Sequence, residues 1–320
     1  MGERSEDSLA RLSVVVLSHN RRAELRRNIE LLCELQAPAG FELIVVDNAS
    51  VDGTPEDLGC LRRQHPGLVV ILSEQNLGVA GGRNLGWSAA TRDLILNLDD
   101  DTRIDLHALR ALCAAMDGST TTGIVTPRVV HAVTGVCQND YAGRILEPAN
   151  FHGACHLLRR VVWQRVGQLD PECNFGGEEL DYAIRTRAVG YTIVCVPDVT
   201  VQHNSLVRPP ALDRWRRERW LYNHSRVLFK HFPLRRALVY SGRGLLAQLV
   251  SGVAANGLGS VGSLVTHAVR GAISGRQRYT VVPEAVVRFY ASERLLPDFG
   301  NVPLWRKAIA RLRRERGPAA

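Results

Sequence analysis

The sequence predicts an α/β fold: a doubly wound, mostly parallel sheet over residues 12–205, followed by a helical C-terminal part. Three observations carry this. Short β-branched runs alternate with helix-length segments from Leu12 onward. Polar residues punctuate the carboxyl ends of those runs. After His203 clear strand signals stop and the charge balance reverses.

Leu12–Ser18 (LSVVVLS) has the length and β-branched content of a buried strand, and Arg21–Gln36 reads as a helix. Glu42–Asp47 (ELIVVD) is a second strand, Pro55–Gln64 a helix and Leu68–Ser73 a third strand. Val79–Thr91 reads as a helix and Asp93–Leu98 as a fourth strand. A helix over Leu106–Met116 and a short strand over Gly123–Pro127 follow. Residues 131–152 are irregular and polar, as a substrate loop would be. Glu178–Ala188 is a helix and Tyr191–Val196 the last strand. Pro209-Pro210 breaks the chain, and helices are expected over 212–231, 235–255, 258–274 and 303–316. Ligands of doubly wound sheets bind outside the carboxyl ends of the strands. Asn20, Asp47, Asn76 and Asp99–Asp101 all fall at or just past those ends, so one crevice is expected.

Composition sets the outer bounds. With 45% hydrophobic and 22% charged residues in 320, the chain suits one large or two smaller globular domains. Cysteines 33, 60, 113, 137, 155, 173 and 195 form no C-x-x-C pair, which argues against a zinc site or disulfide framework and fits a reducing compartment. Met1 to Arg11 is polar, without a signal-peptide core, so a cytoplasmic location is expected, with peripheral membrane contact as an option. Residues 1–203 carry 19 Arg+Lys against 26 Asp+Glu; residues 204–320 carry 21 against 6. An acidic catalytic part and a basic docking part would divide that way, and so would a solvated basic surface. Gly244–Thr266 has no charge, but five glycines, Gln248 and Asn256 make it too polar to span a membrane. It reads as a packed or interfacial hairpin with a turn near Asn256-Gly257.

Five motifs carry candidate chemistry. Asp99-Asp100-Asp101 follows the fourth strand. Adjacent carboxylates repel, and a hard divalent cation, Mn2+ or Mg2+, is the usual compensation. A polar turn is the plainer reading. The aspartyl phosphatase pattern would need Thr or Val at 103, where Arg103 stands. Asp47-Asn48-Ala49-Ser50-Val51-Asp52-Gly53-Thr54 offers a carboxylate to a nucleoside, or simply a turn and a helix cap at Thr54. A nicotinamide or flavin site is disfavoured, because Ser18-His19-Asn20-Arg21-Arg22 has no glycine. Asn76 to Gly86 (NLGVAGGRNLG) opens a helix where anions are favoured. Arg83 could fork onto a diphosphate, and close helix–sheet packing is the alternative. Phe175 to Asp181 (FGGEELD) starts a helix on which Glu178 and Asp181 share a face and Glu179 points elsewhere, free to act as a base. Acids also complement a helix dipole at that place. His203 is either structural or a metal ligand.

Together, VVVLSHNR, VVDNASVDGT, NLGVAGGRNLG, NLDDD, GACHLLRR, VGQLDPECNFGGEELDYAIR and VQHNS resemble glycosyltransferase family 2 in order and spacing over residues 12–205. These are inverting enzymes with a GT-A fold. WRRERWLYNHSRVLFKHFP and THAVRGAISGRQR resemble the tail of its rhamnosyltransferase-like branch. The resemblance implies a GT-A catalytic domain over 1–205, with a donor half at 12–101, an acceptor half at 102–205, and a basic helical region at 206–320. It implies a UDP- or dTDP-sugar bound by Ser18, Asn20, Asp47, Ser50, Asp52, Gly78, Arg83, Asp99 and Asp100, with Asp47 reading the base. Asp99, Asp101 and His203 would hold the metal, and Gly153, Gly177, Glu178 and Asp181 would support the shared site. Glu179 takes the place of the catalytic base, where the family usually has aspartate.

Two rival readings have less support. A sugar nucleotidyltransferase would need a glycine- and basic-rich signature that residues 18–24 lack. Nucleic-acid binding by the basic part lacks a stacking motif or a recognised module. An anionic membrane or a lipid-diphosphate acceptor suits that part better. Arg306, Lys307, Arg311, Arg313, Arg314 and Arg316, interleaved with Trp305, Ile309 and Leu312, would form an interfacial helix.

Overall fold

The computed structural model describes residues 7–139, 147–205, 210–256 and 258–291. The chain divides into two compact units, Met1–Val207 and Arg208–Ala320.

The first unit opens with a single helical turn, α1 (Asp7–Ala10), and then alternates: β1 (Leu12–Ser18), α2 (Arg22–Ala39), β2 (Glu42–Asp47), α3 (Thr54–Gln64), β3 (Leu68–Leu72), α4 (Gly78–Ala89), β4 (Leu94–Asp99). It continues with β5 (Thr102–Arg103), α5 (Leu106–Asp117), β6 (Thr122–His131), β7 (Cys155–Arg159), α6 (Arg160–Val166), α7 (Glu178–Ala188) and β8 (Thr192–His203). One eight-stranded sheet runs in the order β3-β2-β1-β4-β7-β6-β8-β5. The pairs β3–β2, β2–β1 and β1–β4 are parallel, as the alternation predicted. Beyond β4 the sheet is mixed: β7 runs antiparallel to β4 and β6, β6 and β8 are parallel, and β5 is antiparallel to β8.

Why these runs are continuous rather than alternating is clear from burial. Val14, Val15 and Val16 are all fully buried, because helices cover both faces of the sheet. Val14, Val16, Val45 and Leu96 join the core layer that includes Leu25, Ile29 and Leu112 from α2 and α5. Val15, Ile44 and Ile95 join the other, around Trp87 and Tyr182. Two glycines of α4 serve this packing: a Cβ on Gly82 would meet Leu17, and one on Gly86 would meet Val15. The plainer reading of the glycine-rich segment, close helix–sheet approach, therefore holds at both.

Several elements differ from the sequence expectation. β7 and α6 were not predicted: CHLLR runs into a helix with no intervening turn residue, so neither period shows. β5, two residues long, is below any sequence signal. β6 extends to His131 and β8 to His203, beyond the Pro127 and Val196 at which the strands were expected to end.

The second unit holds α8 (Pro210–His231), α9 (Leu234–Asn256), a 3₁₀ turn (Leu258–Ser260), α10 (Val261–Gln277) and α11 (Glu284–Ala291). Only α11 lacks a counterpart in the sequence reading. The helix expected over 303–316, its interfacial arginines and Gly257 lie outside the described residues. Among the described residues no helix is long and apolar enough to cross a membrane. α10 packs closely on α8, because a Cβ on Gly271 would strike the Tyr222 carbonyl and one on Gly275 the Arg226 carbonyl. Backbone cannot yield as a flexible side chain does. Gly271→Ala is therefore expected to cost about 1–3 kcal/mol by forcing the helices apart, despite alanine's better helix propensity. The urea midpoint of the full chain measures it; an unchanged or higher midpoint would refute the close contact.

Candidate active site

The parallel register sets Ser18 beside Asp47, Leu17 beside Asp99 and Asp47 beside Leu72. The polar residues at three strand ends therefore share one edge, the crevice position of this fold class. Asp47 is buried. Its Oδ2 accepts the Ser50 N–H at 3.1 Å, while Oδ1 has no hydrogen-bond partner among the described residues. The loop is tied to its neighbour: Ser50 Oγ accepts the Asn20 N–H and Asn20 Oδ1 accepts the Val51 N–H, both at 2.8 Å. Gly53 precedes α3 without a side-chain cap and Thr54 is the first residue of the helix, while Asp52 ties the turn. It accepts the Thr54 N–H at 3.2 Å and the Arg22 N–H at 2.9 Å, which ties down the start of α2 and of α3. Asn20, Ser50 and Asp52 thus shape the frame around Asp47. Asn48, to which the sequence reading gave no role, binds Asn76 and the Gly78 carbonyl at 3.0 Å each and so adds the third loop. Gly78 has φ 69, and its missing Cβ would lie 2.9 Å from the Asn174 carbonyl. It serves a close backbone approach.

The aspartate triplet splits three ways. Asp100 turns inward, where Ser18 Oγ donates to it at 2.7 Å and Arg21 pairs with it at 3.3 Å. Burial pushes its pKa up to about 7 against the pull of Arg21 and Ser18. Ser18 and Asp100, both expected as donor contacts, are hydrogen-bonded to each other. Asp101 lies 2.8 Å from Arg21 and 3.1 Å from His203 Nε2. Burial would raise its pKa, but His203 and Arg21 outweigh burial and hold it low. Asp99 faces Arg83 at 3.1 Å.

Asp99, Asp101 and His203 each bring one ligand atom within 4.8 Å of the others. The backbone accounts for this: Thr102 pairs with His203 across β5 and β8, and the Asn204 N–H donates to the Asp101 carbonyl at 2.9 Å. The donor set suits a divalent cation. His203 Nδ1 contacts Gln138 Oε1 at 2.6 Å. With Nδ1–H donating there, neutral imidazole turns its Nε2 lone pair toward the Asp101 carboxylate. Two acceptors so close are reconciled by a proton on Nε2 or by a cation. His152 stands edge-on to His203, ring centroids 6.2 Å apart, and burial drops its pKa to about 3. It therefore adds no positive charge beside this group.

The acidic helix differs from expectation. Glu178 and Asp181 do not act together. Asp181 is fully buried and holds Arg185 at 2.7 Å, whereas Glu178 and Glu179 converge on Arg83 at 3.4 and 3.5 Å. The cause is Arg83 itself, 3% exposed, which also donates to the Gly153 carbonyl at 3.0 Å. Burial would lower its pKa, but Asp99, Glu179 and Glu178 together raise it. The fork expected to reach a diphosphate is engaged by these carboxylates. Burial, then the neighbouring Glu179, raise the Glu178 pKa well above the usual carboxylate range. Gly177 precedes α7 with φ 90. Gly153 leaves room for the site: a Cβ there would push the Glu179 carboxylate out of its present position beside Arg83. The pairing of β4 with β7 delivers it, through the Asp99 N–H donating to the Ala154 carbonyl at 3.0 Å.

Sequence comparison meets this geometry from a separate direction. The profile of glycosyl transferase family 2 matches residues 13–141. That of glycosyl transferase family group 2 matches residues 94–282, more than half the chain. The chain is similar to an uncharacterized glycosyltransferase of Nostoc sp., 26% identical over 115 residues, 36% of this chain and 35% of that one. It is similar to the pre-mycofactocin glycosyltransferase of Mycobacterium tuberculosis, 26% identical over 280 residues, 81% of this chain and 56% of that one. In both cases the match spans less than two thirds of the relative. Among solved structures, the mannosyltransferase of Pyrobaculum calidifontis in complex with GDP-Man and Mn2+ aligns with TM-score 0.59 and 18% identity over 83% of this chain and 86% of that one. GalNAc-T7 with UDP, GalNAc and Mn2+ aligns with TM-score 0.60 and 16% identity over 81% and 54%. At such identities the structural likeness speaks for the fold. The sheet is that of the GT-A glycosyltransferases, and the chain belongs to glycosyl transferase family 2.

Proposed function

We propose that the protein is an inverting glycosyltransferase that moves a sugar from a UDP- or dTDP-sugar to an acceptor hydroxyl, with Mn2+ or Mg2+ held by Asp99, Asp101 and His203. The observation that carries this reading is the convergence of those three ligands at the strand ends, joined through Arg83 to Glu179. When bound, the cation supplies charge neutralisation for the departing nucleoside diphosphate. Asp47 Oδ1, without a partner among the described residues, is the acceptor offered to a ring N–H of the base. Arg83 holds Glu179 in place. Glu179 takes the proton of the acceptor hydroxyl. That oxygen forms its bond to the anomeric carbon from the side opposite the diphosphate, the bond to the diphosphate breaks, and the configuration inverts. A carboxylate also suits guanine N1–H, so the Mn2+ and GDP-Man of the structural neighbour make GDP-sugars the comparison to run.

Thermal melting with UDP-, dTDP- and GDP-sugars, each with Mn2+ or with EDTA, tests the reading. A UDP- or dTDP-sugar is expected to raise Tm only when metal is present. In Asp101→Asn the metal-dependent part of that shift is expected to vanish. A full shift in Asp101→Asn, or the same shift in EDTA, would remove Asp101 from the metal site. Stabilisation by GDP-sugars alone would overturn the pyrimidine assignment.

A further inference from the structure

α9 and α10 leave aliphatic side chains unpartnered at helical spacing. On α9, Leu234, Leu238, Leu246 and Val250 are 50%, 56%, 56% and 57% exposed. Leu246 and Val250 share one face of the helix with Val239, 47% exposed, from which they lie at i+7 and i+11; Leu234 and Leu238 lie further round the helix. On α10, Val265, Val269 and Ile273 lie at i, i+4 and i+8 and are 37%, 51% and 55% exposed. The inward faces are occupied: Leu264 and Ala268 of α10 pack with Leu221 of α8, and Leu245 and Leu249 of α9 pack against that cluster. The outward stripes are therefore surplus to the fold of this unit.

The charge beside the stripes has one sign. Arg235 and Arg243 of α9 are exposed, as are Arg270 and Arg276 of α10. Neither helix contains a single Asp or Glu. Contiguous apolar surface rimmed by polar groups marks an interaction site. An amphipathic helix with aliphatic and arginine faces suits the boundary between headgroups and acyl chains of an anionic bilayer.

We propose that the outward faces of α9 and α10 dock on an anionic lipid surface, with the leucines and valines entering the interface and the arginines meeting headgroup phosphates. A second copy of the chain fits less well. A two-fold contact through the same faces would set arginine near arginine with no carboxylate in either helix to answer it. A nucleic acid would meet the arginines but leave the aliphatic stripes in water. The stripe lies within the residues the family profile matches, apart from the arginine-rich segment 305–316, and is independent of it.

Co-sedimentation of the full chain with phosphatidylcholine vesicles, with and without phosphatidylglycerol, tests this. Binding is expected only to the anionic vesicles and is expected to weaken as salt rises. The double variant Leu246→Glu/Val250→Glu, called the leucine variant, is expected to lower the partition coefficient roughly tenfold or more. Arg235→Gln/Arg243→Gln is expected to lower it on anionic vesicles by a smaller factor. Wild-type protein left in the supernatant would overturn the proposal. So would unchanged binding in the leucine variant, which would move the contact to another segment such as 292–320. A dimer in sedimentation velocity that the leucine variant abolishes would replace the lipid with a second copy, and salt-sensitive binding to duplex DNA in place of vesicles would replace it with nucleic acid. Donor-induced melting shifts in the same variants report on the other unit's site, so failure of this proposal and failure of the glycosyl-transfer reading are seen separately.

Discussion

Glu179→Gln is expected to lower kcat by roughly 10²–10⁴-fold, the usual contribution of a positioned base, while the donor-induced rise in Tm persists. The amide keeps the shape and can still accept from Arg83, so the site stays assembled, but it cannot take the acceptor proton. The control is one residue away. Glu178 is buried beside Glu179 and its pKa is raised well above the ordinary range, so glutamine there keeps the shape while removing a carboxyl whose ionised form burial already disfavours. Glu178→Gln is therefore expected to stay within about tenfold of wild type, well short of the loss expected for a missing base. Single-turnover assays of both variants decide the matter. Equal losses would mean that the two carboxyls act as one unit; a fully active Glu179→Gln would move the base elsewhere. The glutamate in place of the family's usual aspartate has a structural counterpart. Its longer side chain reaches Arg83 and fills the space that Gly153 leaves open.

What could be read from the chain in advance follows the range of the interactions involved. β1 to β4 were legible because burial on both faces selects β-branched runs, and the parallel crossover rule then aligns their carboxyl ends. Asp47 and Asp99 were placed on that edge without any homologue. His203 was less legible: its place after the last strand left it either structural or a ligand, and the family resemblance favoured the ligand. Its position depends on a two-residue strand, β5, that no periodicity could reveal. Partners were the least legible feature. Asn48, Gln138 and Arg21 hold the site through contacts across loops distant in sequence. The sequence reading aimed Arg83 at a diphosphate because a cation after glycines suits phosphate. The fold buries it among three carboxylates, and a buried guanidinium takes the nearest anions. Asp181 has a partner of its own for a related reason. Helical spacing places it on the Glu178 face, but Arg185 one turn on captures it.

Arg83→Leu is expected to be the most damaging single change to stability, costing about 3–5 kcal/mol at neutral pH. The guanidinium sits between Asp99, Glu178 and Glu179 and also satisfies the Gly153 carbonyl. Leucine removes the cation but leaves the acids. Asp99 and Glu179 then face each other's charge in a partly desolvated space, and their folded-state pKa values rise. The sign of the pH effect follows. A carboxyl whose folded pKa is raised above its unfolded value weakens the fold once pH climbs past the unfolded value, because ionisation is then easier in the unfolded chain. The deficit of Arg83→Leu relative to wild type should therefore shrink as pH falls from about 7 toward 5. Arg83→Lys is expected to recover part of the stability, since it restores the charge, but little of kcat, because an ammonium lacks the fork that spans Asp99 and Glu179. Guanidinium unfolding of the three proteins at both pH values measures this. A loss below about 1 kcal/mol, typical of an exposed pair, or a deficit that does not change with pH, would show that Arg83 is not the cation on which the site is built.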